Sequence, residues 1–208
     1  MVKKKTAAEI LDRLSEAYPD AGCALHFKNP FQLLVAVVLS AQTTDVSVNS
    51  VTPELFAKYP GPDELANAEQ AEVASIIRKI GMYRTKSANI IALSRRLTDD
   101  FGGEVPGDFD SLVSLPGVGR KTANVVLAEA FGQQRIAVDT HVFRVSNRIG
   151  LAKAKTPEDT EEQLKRILPH DRYTEAHHLL IFHGRRCCSA RKPNCDSCPI
   201  NDLCEKDL

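Results

Sequence analysis

The chain has 208 residues, 43% of them apolar, which is enough for one large domain or two small ones with a buried core. Lysine plus arginine balance aspartate plus glutamate at 27 each, which argues against a globally basic nucleic-acid binder and leaves only a local basic face. Of six cysteines, five lie beyond residue 186, a distribution that speaks for metal ligation in a reducing compartment and against a disulfide-stapled secreted fold.

Met1 to Lys5 is basic and leads into TAAEILDRLSEAYPD, a charged amphipathic stretch unlike the apolar core of a signal peptide. Ile10, Leu11 and Leu14 share a helical face, and Pro19 stops that helix. The most apolar run, Phe31 to Ala41, falls short of the roughly 20 residues of a membrane span and is expected as the central helix of a bundle. A cytosolic protein with no membrane attachment is expected.

Asn67 with Gln70 has the form of a capping box ahead of Val73, Ile76, Ile77 and Ile80, with Gly81 closing that helix in a left-handed conformation. Ile90, Leu93, Leu97 and Phe101 mark the next helix, ended by Gly102 and Gly103. Asp110 is expected to cap a short helix through Leu115. After PGVG a helix runs from about Arg120 to Phe131, closed by Gly132. Asp139 or Thr140 caps a helix with Val142, Val145 and Ile149 inward, ended by Gly150. Thr156-Pro157 opens another, and Thr174 to Phe182 forms the last. The only strand signal, Ile136 to Val138, is too short to matter, so the fold class is all-α. No flexible linker divides the chain.

Leu112 to Gly132, LVSLPGVGRKTANVVLAEAFG, reads as helix, tight hairpin, helix. Gly117 and Gly119 are expected to supply backbone angles closed to other residues. With Val118 and Arg120 they would point successive N–H groups outward, at the positive end of a helix dipole. Such a site suits a DNA phosphate and reads no sequence; the alternative is an ordinary glycine turn. Lys121 lies directly behind the hairpin. The dipole there disfavours an ammonium, and the neutral amine is the form that attacks carbon; the alternative is a solvated surface lysine. Asp139 caps a helix, and a carboxylate so fixed could also face a developing positive charge.

Cys188, Cys195, Cys198 and Cys204 follow the spacing C-x6-C-x2-C-x5-C, that of a four-thiolate metal site. Only Cys195 and Cys198 form the close pair usual for zinc, so the spacing leaves the metal open. Cys187 offers a shifted first ligand, and Cys23 is expected as a buried small apolar residue. Arg191 and Lys192 form a basic loop between the first two cysteines.

LPGVGRKTA together with VDTHVFRV resembles the helix-hairpin-helix glycosylase superfamily. AQTTD at 41 to 45 and the C-terminal cysteines narrow the resemblance to the endonuclease III family, over essentially the whole chain. The resemblance implies two helical lobes with a DNA cleft between them. One is a six-helix bundle carrying the hairpin, residues 22–133; the other joins residues 1–21 and 134–208 and holds a [4Fe–4S] cluster. It implies Cys188, Cys195, Cys198 and Cys204 as cluster ligands, Lys121 as nucleophile and Asp139 as catalytic aspartate. Gln42 and Met82 would enter the DNA stack where a base is flipped out, Met82 at a position where the family often has leucine. Gly117, Val118, Gly119, Arg120, Arg191 and Lys192 would meet phosphates.

The implied activity is a bifunctional DNA glycosylase and abasic-site lyase, removing oxidised or ring-saturated pyrimidines from double-stranded DNA as a cytoplasmic, nucleoid-associated monomer. An adenine-type glycosylase of the same superfamily would lack the lysine at position 121. A non-catalytic, metal-stabilised DNA-binding module would need neither Lys121 nor Asp139.

Overall fold

The computed structural model describes residues 2–207. Among them the chain forms twelve α-helices and one 3₁₀ turn, with no strand. In chain order the first are α1 (Lys4–Ala17), α2 (Pro30–Leu39), α3 (Asp45–Asn49), α4 (Thr52–Lys58), α5 (Pro62–Ala66) and α6 (Gln70–Ile76). There follow α7 (Tyr83–Phe101), α8 (Phe109–Val113), α9 (Arg120–Phe131), α10 (Thr140–Ile149), α11 (Pro157–Ile167), the 3₁₀ turn His170–Arg172 and α12 (Tyr173–Arg186). Two compact units result, one of Ala24–Gly132 and one of Met1–Cys23 with Gln133–Leu208.

The unit of residues 24–132 is organised on α2. Asn29 caps it by accepting the Gln32 N–H, and Pro30 suits the first helical position. Every residue from Phe31 to Leu39 is buried, and α2 packs against α7 and α9. Each large apolar side chain taken from water contributes about 1.5–3 kcal/mol, so this helix is a large part of the unit's cohesion. Four expectations for this unit are corrected. Asn67 opens no capping box; its Nδ2 donates back to the Asp63 carbonyl at 2.8 Å, closing α5, and α6 begins after Glu69 without a side-chain cap. The helix then stops at Ile76, short of Ile80. Gly81 is not left-handed; that conformation falls on Met82. Asp108, not Asp110, caps α8, accepting the Ser111 N–H at 2.9 Å.

In the other unit α10 packs against α11 and α12, and α1 against α12. Ile10, Leu11 and Leu14 of α1 meet Val142, Val145 and Ile149 of α10 in one apolar cluster. Helix α12 begins at Tyr173 and runs to Arg186, four residues past the expected Phe182, because Leu179, Leu180, His183 and Gly184 extend its buried face. The terminal loop is tied to α1 by Arg13, whose Nη1 lies 2.7 Å from the Asp202 carboxylate. Cys23 is half-buried, not buried as expected.

Candidate functional site

The hairpin between α8 and α9 is anchored by Leu115 and Val118, both buried. Gly117 has φ +78°, open to glycine and costly to other residues. Two expectations change here. Gly119 is extended, at φ −98° and ψ 177°, so no backbone constraint requires glycine; a Cβ there would meet nothing within 4 Å. Val118 donates its N–H to the Leu115 carbonyl at 3.1 Å, so it closes the hairpin and does not point outward. What faces out is the start of α9, whose first N–H groups have no acceptor inside the helix, and to which Gly119 brings no side-chain cap. Arg120 lays its guanidinium over the Phe109 ring, 5.2 Å from the centroid. Lys121 is exposed in the first turn of α9.

In the same unit Gln42 and Met82 are exposed, Met82 to 50%. Both hold left-handed backbones, at φ 52° and 55°. For residues bearing a Cβ this costs about 1–2 kcal/mol each. Met82 is therefore no core methionine; it heads α7 and projects from it. A residue that sequence reasoning missed bonds to Met82 and to Thr43, the neighbour of Gln42. Lys86 is 3% exposed, and its Nζ donates to Thr43 Oγ1 at 2.6 Å. Burial pushes its ammonium below the usual lysine range. The contact spans 43 residues, and lysine is ordinarily a surface residue, so no local pattern announces it.

Asp139 belongs to the other unit. Its Oδ1 accepts the Val142 N–H at 2.8 Å, which makes it the N-cap of α10 and fixes the carboxylate. His141, one step into the helix, is pushed down by burial, with Asp139 opposing. The same helix holds the cysteine loop. Arg144 Nη2 donates to the carbonyls of Gly184 and Cys188 at 3.0 and 3.1 Å. Arg148 donates to those of Ser189 and Ala190 at 2.7 and 2.8 Å. Arg191 and Lys192 are exposed at the loop's tip.

Cys188, Cys195, Cys198 and Cys204, with Cys187, line one partly open cavity. Among the described residues the one group of three donors within 4.8 Å of each other is His183, Cys187 and Cys198. No three of the four spaced cysteines come so close, whereas a single tetrahedral zinc would need its sulfurs about 3.8 Å apart. Four thiols spread more widely than one tetrahedral ion requires fit a polynuclear cluster. Polar groups also approach three of the sulfurs. Arg148 Nη1 lies 3.8 Å from Cys188 Sγ, His183 Nε2 3.8 Å from Cys198 Sγ, and the Lys206 N–H donates to Cys204 Sγ at 3.3 Å. Burial raises the Cys204 thiol and, most strongly, that of Cys187, to about 12.

Residues 35–170 match the family model of the HhH-GPD superfamily base excision DNA repair proteins, and residues 188–204 match the iron–sulfur binding domain of endonuclease III. The chain is 50% identical to endonuclease III of Rickettsia conorii, covering 95% of this chain and 96% of that protein. Against endonuclease III of Escherichia coli the identity is 49%, covering 98% and 97%. A solved trapped endonuclease III–DNA covalent intermediate, an estranged-adenine complex, matches with a TM-score of 0.94 at 47% identity, covering 99% of this chain and 97% of that one. The chain belongs to the endonuclease III family, and its cofactor is a [4Fe–4S] cluster. No described helix is long and apolar enough to cross a membrane.

Proposed function

We propose that the protein is a bifunctional DNA glycosylase and abasic-site lyase of base excision repair, acting as a monomer on oxidised pyrimidines in duplex DNA of the cytoplasmic nucleoid. One observation carries this reading: an exposed lysine stands in the first turn behind the hairpin, in a chain that matches a covalently trapped endonuclease III–DNA complex along nearly its whole length.

The start of α9 takes a backbone phosphate, with Arg120, Arg191 and Lys192 as further phosphate partners. Extruding the damaged base costs about a few kcal/mol, less at a weakened pair. Gln42 and Met82 then occupy the vacated space, Gln42 hydrogen-bonding the orphaned partner base and Met82 serving as a soft apolar wedge. The neutral amine of Lys121 attacks the sugar C1′. A C1′–N bond to Lys121 forms, the glycosidic bond breaks, and the base leaves with its electron pair and gains a proton. The Asp139 carboxylate stabilises the positive charge on the sugar. The C1′–O4′ bond then opens, O4′ taking up the proton the amine gives up, to leave a C1′=N Schiff base. Loss of a C2′ proton from it expels the 3′ phosphate and breaks the strand, and water hydrolyses the remaining imine to free Lys121.

Cys188, Cys195, Cys198 and Cys204 hold the cluster, whose contribution when bound is to keep the loop of Arg191 and Lys192 rigid. Residues 22–133 form the helix-hairpin-helix lobe, and residues 1–21 with 134–208 the cluster lobe. Borohydride reduction on abasic duplex tests the reading. Wild-type protein is expected to be trapped covalently and Lys121→Gln not; equal trapping of the variant overturns it.

A further inference from the structure

A buried lysine needs a reason, because lysine is almost never fully buried unless paired. Lys86 on α7 is 3% exposed and has no part in the chemistry assigned to Lys121 and Asp139. Its backbone N–H donates to the Met82 carbonyl at 2.9 Å. Its Nζ donates to Thr43 Oγ1 at 2.6 Å. The Thr43 hydroxyl in turn lies 3.4 Å from the Ala41 carbonyl. Lys86 is thus joined by main chain to Met82 and by side chain to a threonine that brackets Gln42. Both Gln42 and Met82 sit in left-handed backbone, where a chain left to itself would relax. Burial lowers the ammonium's affinity for its proton, a desolvation cost against which the bond to Thr43 is set.

We infer that Lys86 is a positioning residue, whose tie to Thr43 sets the spacing between Gln42 and Met82 before DNA arrives. The inference rests on the proposed entry of those two residues into the DNA stack. A charge-assisted bond is about twice as strong as a neutral one, and it holds the 40–44 loop against the start of α7. Loops ordered in advance lose less entropy on binding. The benefit is confined to DNA with a vacated position. Plain duplex is held by phosphates at the hairpin, which Lys86 does not touch.

Two variants cut the tie from opposite ends: Thr43→Val removes the acceptor hydroxyl, and Lys86→Met removes the ammonium while keeping the stem. Each is measured for affinity to a duplex with a stable abasic analogue, affinity to plain duplex, melting temperature, and fluorescence of 2-aminopurine opposite the analogue. Both variants are expected to bind the analogue roughly tenfold more weakly, in line with loss of one hydrogen bond to a charged group. Plain-duplex affinity stays unchanged, and the 2-aminopurine signal shifts toward that of free DNA. Lys86→Met does not lower the melting temperature, since it removes a desolvated charge. Thr43→Ser, which keeps the hydroxyl, restores wild-type binding, and the double variant is no weaker than either single one. If Gln42→Ala and Met82→Ala weaken analogue binding but Thr43→Val and Lys86→Met do not, the positioning role is overturned and stack entry stands. Wild-type binding by Gln42→Ala and Met82→Ala overturns stack entry and the inference with it. A lowered melting temperature in Lys86→Met, with equal losses on both duplexes, makes Lys86 a structural residue only.

Discussion

Gly117 and Gly119 are two residues apart in one hairpin and meet different constraints, so alanine at each separates folding from binding. At Gly117 the φ of +78° carries about 1–2 kcal/mol for a residue with a Cβ. The new Cβ would also meet Asn89 Nδ2 at 3.1 Å and Asn89 Cβ at 3.2 Å. The latter atom is fixed to α7, so swinging the amide away relieves only part of the crowding. Reduced entropy of the unfolded chain returns about 0.4–1 kcal/mol. The net loss is roughly 1–2 kcal/mol, or about 3–6 °C in melting temperature at this chain length. At Gly119 the backbone is extended and the Cβ faces open space, so only the entropy gain of about 0.4–1 kcal/mol applies and melting rises slightly or holds. That Cβ nevertheless stands at the start of α9, where the phosphate is proposed to sit. Losing one charge-assisted contact there weakens duplex binding by roughly tenfold. Melting curves and fluorescence anisotropy on plain and abasic duplexes measure both effects. Neither substitution changes charge, so the dependence of affinity on salt keeps its slope. Wild-type binding by Gly119→Ala refutes the phosphate site and leaves the hairpin a turn.

Asp139→Asn keeps an equally good N-cap, so melting should hold while turnover falls by about a hundredfold or more; unchanged turnover removes the carboxylate from the chemistry, and Asp139→Ala should add a loss of about 1 kcal/mol in stability. Cys188→Ala should lose the iron, about four per chain in the wild type, and Cys187→Ala should keep it; the reverse pattern in metal analysis shifts the first ligand to Cys187. Met82→Gly should relieve about 1–2 kcal/mol of backbone strain and raise melting while weakening abasic-analogue binding; equal weakening on plain duplex counts against a wedge.

What the sequence disclosed was set by how locally each feature is encoded. Helix α9 could be bounded at Arg120 and Phe131 because a glycine hairpin precedes it and Gly132, at φ +63°, follows. The cap by Asp139 and the stop at Gly150 were readable for the same reason. Helices α3 and α5 went unseen, since five residues cover barely more than one turn and hold no period to read. Asp108 and Asp110 offer the same side chain two positions apart, and only the observed hydrogen bond to Ser111 chooses between them. The left-handed position was assigned to Gly81 by the ordinary preference of glycine, and the chain places Met82 there instead. The tie from Lys86 to Thr43 has no sequence signature, because it joins segments 43 residues apart through a residue type expected in water.

Two of those departures involve left-handed backbone. Among the described residues three non-glycine positions carry positive φ: Gln42, Met82 and Lys206. Glycine at each would cost less for folding alone, by up to about 1 kcal/mol a position once its greater unfolded-chain entropy is set against the relieved strain, a noticeable share of the roughly 5–15 kcal/mol that holds a protein folded. Lys206 uses its turn to aim an N–H at Cys204 Sγ, 3.3 Å away. Gln42 and Met82 use theirs to leave their helices and stand in solvent, joined through Thr43 and Lys86. Each left-handed backbone therefore presents something that a relaxed one would withdraw: an N–H donor to Cys204 Sγ in one case, exposed side chains, proposed above to enter a gap in DNA, in the other two. On the proposed reading a net-neutral chain can bind a polyanion in this way, the selective part of the contact being made by placed backbone and side chains while the phosphates need only the start of one helix and a few exposed cations.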